Sequence, residues 1–90
     1  MTGTLTVTTA AQKLISGGNR SSRGTLIIQN ESDTDWQIAI GDPNGVRLTT
    51  SNGTTIKASQ TFALEGRMAQ RDVYFIHGGS GNKSGRYQYA

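Results

Sequence analysis

His77 is the one histidine in this chain and the first residue to test for chemistry. Nucleophilic catalysis needs a base beside Ser, Thr or Cys and a carboxylate that orients the base. His77 ends an apolar run, is followed by Gly78 and Gly79, and has no carboxylate that its spacing places nearby. It reads as a surface or interface histidine at a strand end. Glu31, Asp33 and Asp35 alternate within one polar stretch. Oxygen-rich loops can hold calcium, but the glycine and distant glutamate of an EF-hand loop are absent, so these read as solvated turn carboxylates. Glu65 and Asp72 bracket Arg67 and Arg71, the pattern of a surface loop with weak ion pairs. Gly17, Gly18 and Gly24 lack the lysine of a phosphate loop, and neither they nor Gly78, Gly79, Gly81 and Gly85 open a helix. One histidine without cysteine cannot build a structural zinc site. The expectation is no catalytic residue, no cofactor, no metal and no enzymatic activity.

Trp36 could serve as a sugar platform only if exposed beside other aromatics. It shares a face with Ile38 and Ile40, so core is the favoured reading. That face belongs to the most informative stretch, Arg23 to Gly41. Leu26 and Ile28 share one side of a first run, Trp36, Ile38 and Ile40 one side of a second, and only polar residues lie between. A period of two marks half-buried strands, and the pair reads as a hairpin.

The same style fills the rest of the chain. Thr2 to Thr9 is a strand with Leu5 and Val7 inward, and Ala10 to Ile15 is either a helical turn or a short strand. Ser16 to Gly24 reads as an exposed loop and Asp42-Pro43-Asn44-Gly45 as a tight turn. Val46 and Leu48 begin another strand, ended by a turn at 49–53. Ile56 marks a short strand, Phe62 and Leu64 alternate inward on the next, and Gly66 to Asp72 is a charged loop. Val73 to Ile76 is apolar on both faces, as for a central strand or one half buried in a partner. A glycine-rich loop at 78–85 leads to a last strand, with Tyr87 and Tyr89 on one face. Seven or eight short strands at this spacing predict an all-β fold, a small antiparallel β-sandwich or reduced jelly roll, with residues 1–90 as one domain. The predicted core is Leu26, Ile28, Trp36, Ile38, Ile40, Leu48, Phe62, Leu64 and Phe75.

Composition bears on partners. Leu, Ile, Val and Phe total 17 of 90 residues, near the level at which disorder is a concern, but the net charge is only +3. So short a chain without disulfides gains stability by association, which predicts an oligomer. No signal peptide or membrane-length apolar run is seen, and the expected compartment is cytosol-like. The sequons at Asn19, Asn30, Asn52 and Asn82 are expected to mark polar surface loops. The basic residues are scattered, not gathered in a stripe with interleaved aromatics, which disfavours nucleic acid.

The stretch NRSSRGTLIIQNESDTDWQIAIG resembles small β-rich proteins encoded among the virion genes of tailed bacteriophages and prophages. There an Arg-containing loop (here Asn19, Arg20, Arg23) leads to a Leu-x-Ile-x-Asn strand (Leu26, Ile28, Asn30). A Ser-containing turn (Ser32) and an Ile-x-Ile-Gly strand (Ile38, Ile40, Gly41) follow. The likeness continues through TTSNGTTIKASQTFALEG and DVYFIHGGSG and covers about nine-tenths of the chain. It departs before Phe62, where Ala58-Ser59-Gln60 replaces an expected glycine. The resemblance implies a virion structural protein, made in the host cytoplasm, such as a capsid decoration or head-fibre-base subunit. Such a subunit would be a homotrimer that binds the major capsid protein or other virion proteins. The expected protein interface is Tyr74, Ile76, Tyr87 and Tyr89. Two other classes stay open. A single-stranded nucleic-acid binder on an OB-like barrel would need Arg86, Tyr87 and Tyr89 on one exposed face. A tail-associated carbohydrate-binding module would need an accessible Trp36.

Overall fold

The computed structural model describes residues 2–15, 24–41, 48–66 and 71–89. Among them are eight strands in two antiparallel sheets. One sheet holds β1 (Thr2–Val7), β8 (Lys83–Tyr89), β3 (Thr25–Asn30) and β6 (Thr61–Glu65), in that order. The other holds β2 (Gln12–Ile15), β7 (Val73–His77), β4 (Trp36–Ile40) and β5 (Thr54–Ile56). β1 pairs β8, β2 pairs β7, β3 pairs β6 and β4 pairs β5. The chain is thus one long antiparallel ribbon, doubled back between β4 and β5. Rolling that ribbon adds the β3–β8 and β4–β7 ladders. This is a jelly-roll β-sandwich.

Side-chain parity builds the core. Leu5 and Val7, Leu26 and Ile28, and Leu64 turn inward from the first sheet. Ile15, Trp36, Ile38, Ile56, Val73 and Phe75 meet them from the second. Trp36 and Phe75 pack edge to face with ring centroids 5.9 Å apart. Trp36 is fully buried, as its pattern predicted, while Ile40 and Phe62 are only partly buried against the cluster. Leu48 and Ile76 are buried outside it. A Cβ built on Gly53 would lie 2.8 Å from the Leu48 side chain and 2.5 Å from the Ile38 carbonyl oxygen. The 48–53 segment therefore lies against β4, and Gly53 takes the positive φ of 79° that its turn needs.

The expected hairpin is corrected. β3 and β4 share no ladder, because they lie in different sheets and the residues between them arch across the sandwich. An arch and a hairpin both bury alternate residues, so parity does not distinguish them. Asn30 holds the arch. It is 1 % exposed, which corrects the expectation of a surface sequon. Its Nδ2 donates to the carbonyls of Thr34 at 2.8 Å and Ile56 at 3.1 Å. Its Oδ1 accepts from the Ser32 N–H at 3.0 Å and the Ser32 hydroxyl at 2.6 Å. One side chain closes the turn and ties the first sheet to β5 of the second. The sequons at Asn52 and Asn82 are exposed, and Asn19 lies outside the described residues.

Other boundaries also shift. Residues 12–15 are a strand, and Leu48 is buried but not within one, with Val46 outside the described residues. The last strand begins at Lys83, so the expected 78–85 loop shortens to 78–82. The loop at 16–23 and the turn at 42–45 lie outside the described residues, as do residues 67–70 of the charged loop. Where the resemblance led to an expected glycine, Gln60 N–H donates to the Lys57 carbonyl at 3.0 Å and Ser59 takes φ 62°. The turn keeps the left-handed geometry that glycine favours, with serine bearing the strain.

Candidate functional site

The four residues expected at an interface do not form one patch. Tyr74 is half-buried on the outer face of the second sheet, between Lys13 and Ala39 in register. Ile76 shares that face but is only 7 % exposed within a single chain. Tyr87 and Tyr89 belong to the other sheet and turn inward against the core, their rings stacked 6.0 Å apart and 10° from parallel. Arg86 immediately precedes Tyr87 and points outward. Arg86, Tyr87 and Tyr89, which a single-strand binder would need on one exposed face, are therefore split across two faces by strand parity. Trp36 is closed to solvent, so the sugar platform considered for it is absent.

His77 is fully buried, which corrects the surface reading. Its Nδ1 accepts from the Gly79 N–H at 3.1 Å and its Nε2 lies 2.7 Å from the Gly81 carbonyl. The first contact leaves the proton on Nε2, which donates to Gly81. The ring clasps the 78–82 loop, and the sandwich end buries it opposite Trp36 in register.

The three alternating carboxylates diverge to separate partners. Glu31 receives Nε and Nη2 of Arg86 at 2.9 and 2.8 Å, a two-point contact between neighbouring strands. Asp33 meets Lys83 Nζ at 3.0 Å, and Asp35 accepts the Ala58 N–H at 2.8 Å. Among the described residues no three His, Cys, Asp or Glu side chains converge as metal ligands. Asp72, at the end of the charged loop, lies 3.9 Å from Lys13 Nζ.

The hydrogen bond from Arg86 holds the Glu31 carboxyl below its ordinary value of 4.5. Hydrogen bonds from Lys83 and then Thr34 hold Asp33 below 3.8. Carboxylates lowered by folding stabilise fully above those ordinary values and lose that contribution as pH falls through the folded ones. Acid titration of the circular dichroism signal should show stability falling from about pH 4.5 downward. Glu31→Gln should flatten that fall. Solvent screening keeps the effect small, and 1 M salt should reduce it further.

The remaining feature is the outer face of the first sheet. An open cleft of about 490 Å³ lies there. One cross-strand row brings Thr4, Arg86, Gln29 and Thr61 side by side, and the next brings Thr2, Gln88 and Ile27. These seven have outward parity and come from four strands, and Gly3 and Tyr87, a cross-strand pair of inward parity, complete the lining. Sequence reading missed this site because its residues come from four separate segments. The only local sign was the run of outward threonines on β1.

No family model matches this chain, and neither a curated protein nor a solved structure matches it.

Proposed function

We propose that this protein is a non-enzymatic virion structural subunit of a tailed bacteriophage, a capsid decoration or head-fibre-base protein. In this reading it assembles as a homotrimer and binds the major capsid protein or other virion proteins. The observation that carries the reading is the β1 edge of the jelly roll, which pairs with no described strand except β8. Of the four edge strands among the described residues, β5 has three residues and β2 has four, a register irregularity and Lys13. β6 has five residues and ends in Glu65. β1 is the longest at six residues, pairs with β8 without a bulge, and carries no charge and no proline. Edges without such protection invite another strand, and an assembly subunit puts that property to use. Tyr74, half-buried on the other sheet, supplies an aromatic anchor for a second contact. The sequence resemblance supports the same class.

Light scattering at micromolar concentration should give three times the 9.6 kDa chain mass. Thr6→Lys, which places a charge on the outward side of β1, should return the protein to monomer without changing its fold. Electron microscopy of particles carrying the chain should place it on the head. A stable monomer, both alone and with the other virion proteins, would overturn the proposal.

A further inference from the structure

We propose that the cleft on the β1-β8-β3-β6 sheet binds a neutral oligosaccharide through its side-chain amides and hydroxyls. Its volume of about 490 Å³ falls within the usual range of small-molecule sites. The chemistry of its walls selects the ligand. The side chains of Gln29, Gln88, Thr2, Thr4 and Thr61 make no hydrogen bond to described residues. On the outer face of the other sheet the corresponding types satisfy each other, Gln37 Nε2 donating to Thr55 Oγ1 at 3.1 Å. The first sheet thus holds its donors and acceptors unpaired and aimed at one concavity. Each primary amide both donates and accepts, as does each hydroxyl, and sugar hydroxyls need that mixture.

Charge narrows the choice. Among the described residues Arg86 is the only charged one lining the cleft, and Glu31 engages one side of its guanidinium in two contacts. The site is therefore close to neutral, which disfavours a phosphate-bearing ligand. A peptide strand would dock along one sheet edge through backbone groups, whereas this cleft runs across all four strands and is lined largely by side chains. Ile27, half-buried in the floor, offers apolar surface for the C–H face of a sugar ring. Four strands at about 4.8 Å spacing set the outer strands roughly 14 Å apart, room for a short oligomer lying across them.

The test is a nitrogen-15 NMR titration of the full chain with maltohexaose, cellohexaose and an N-acetylglucosamine hexamer. A thymidine oligonucleotide and an uncharged peptide serve as comparison probes. At least one saccharide should produce saturable shifts at the Gln29 and Gln88 side-chain amides and along β1 and β8, little changed by salt. The Gln29→Ala/Gln88→Ala double variant should melt like the parent and bind that saccharide at least roughly tenfold more weakly. The inference fails if none of the three saccharides shifts these signals, or if the double variant binds equally well. It also fails if only the oligonucleotide or the peptide binds there. Saccharide binding is read on the isolated chain and particle association on the virion, so failure of one proposal is distinguishable from failure of the other.

Discussion

Gly85→Ala should cost about 3 kcal/mol or more, the upper range for overpacking a filled core. Gly85 is buried in β8, where a Cβ would collide with both the Gln29 carbonyl oxygen and Cη2 of Trp36. The indole crosses from the other sheet and rests on bare backbone. β8 cannot back away, because it is laddered to β1 on one side and β3 on the other. A domain of this length holds only about 5 to 13 kcal/mol in total, so the change would remove a large share of its stability. Urea unfolding measures the loss. Adding Trp36→Phe to Gly85→Ala should recover part of it by removing one of the two collisions, and a double-mutant cycle should show that coupling. A Gly85→Ala variant that unfolds at the parent's midpoint would mean that the indole does not pack against β8.

Asn30→Asp is nearly isosteric, yet it should destabilise by roughly 3 to 5 kcal/mol. The amide nitrogen is the donor to the Thr34 and Ile56 carbonyls, and a carboxylate would turn acceptor oxygen toward both. Asn30 is closed to water, so the Ile56 carbonyl finds no replacement partner, while the Thr34 carbonyl keeps only the Ser32 hydroxyl at 2.9 Å. The loss should shrink at acid pH, where a protonated carboxyl regains one donor. Asn52→Asp provides the contrast within the same sequon signature. Asn52 is exposed, and its Oδ1 accepts the Thr49 N–H at 2.8 Å, a role that aspartate keeps. That change should cost well under the Asn30→Asp loss, since Asn52 stays open to water. Equal effects at the two positions would refute the assigned role of Asn30.

These two residues also show where sequence reading stops. The alternation of Leu26 with Ile28, of Trp36 with Ile38, and of Leu5 with Val7 was legible, because parity along a strand is local. It sufficed for an all-β sandwich and most of its core, including a buried Trp36. It also placed Val73 to Ile76 on a central strand as one of two options, and β7 does lie between β2 and β4. Parity says which residues turn inward, not which strand lies alongside. For that reason β3 and β4, separated by five polar residues, read as a hairpin when they are an arch.

The rest depended on contacts between distant segments. Asn30 and His77 are polar residues in exposed-looking contexts, and each is buried because carbonyls and N–H groups brought together by the fold use every atom it offers. Gly85 looked like one more loop glycine until Trp36 arrived from the opposite sheet. The cleft needs Thr4, Arg86, Gln29 and Thr61 in one row, and their order across the sheet bears no relation to their order in the chain. By itself the sequence determined the strand faces and the class of fold, since both follow from the local period of apolar residues. Only the tertiary structure decided the ladder order, the buried polar anchors and the site, since these arise where the rolled ribbon brings remote rows into register.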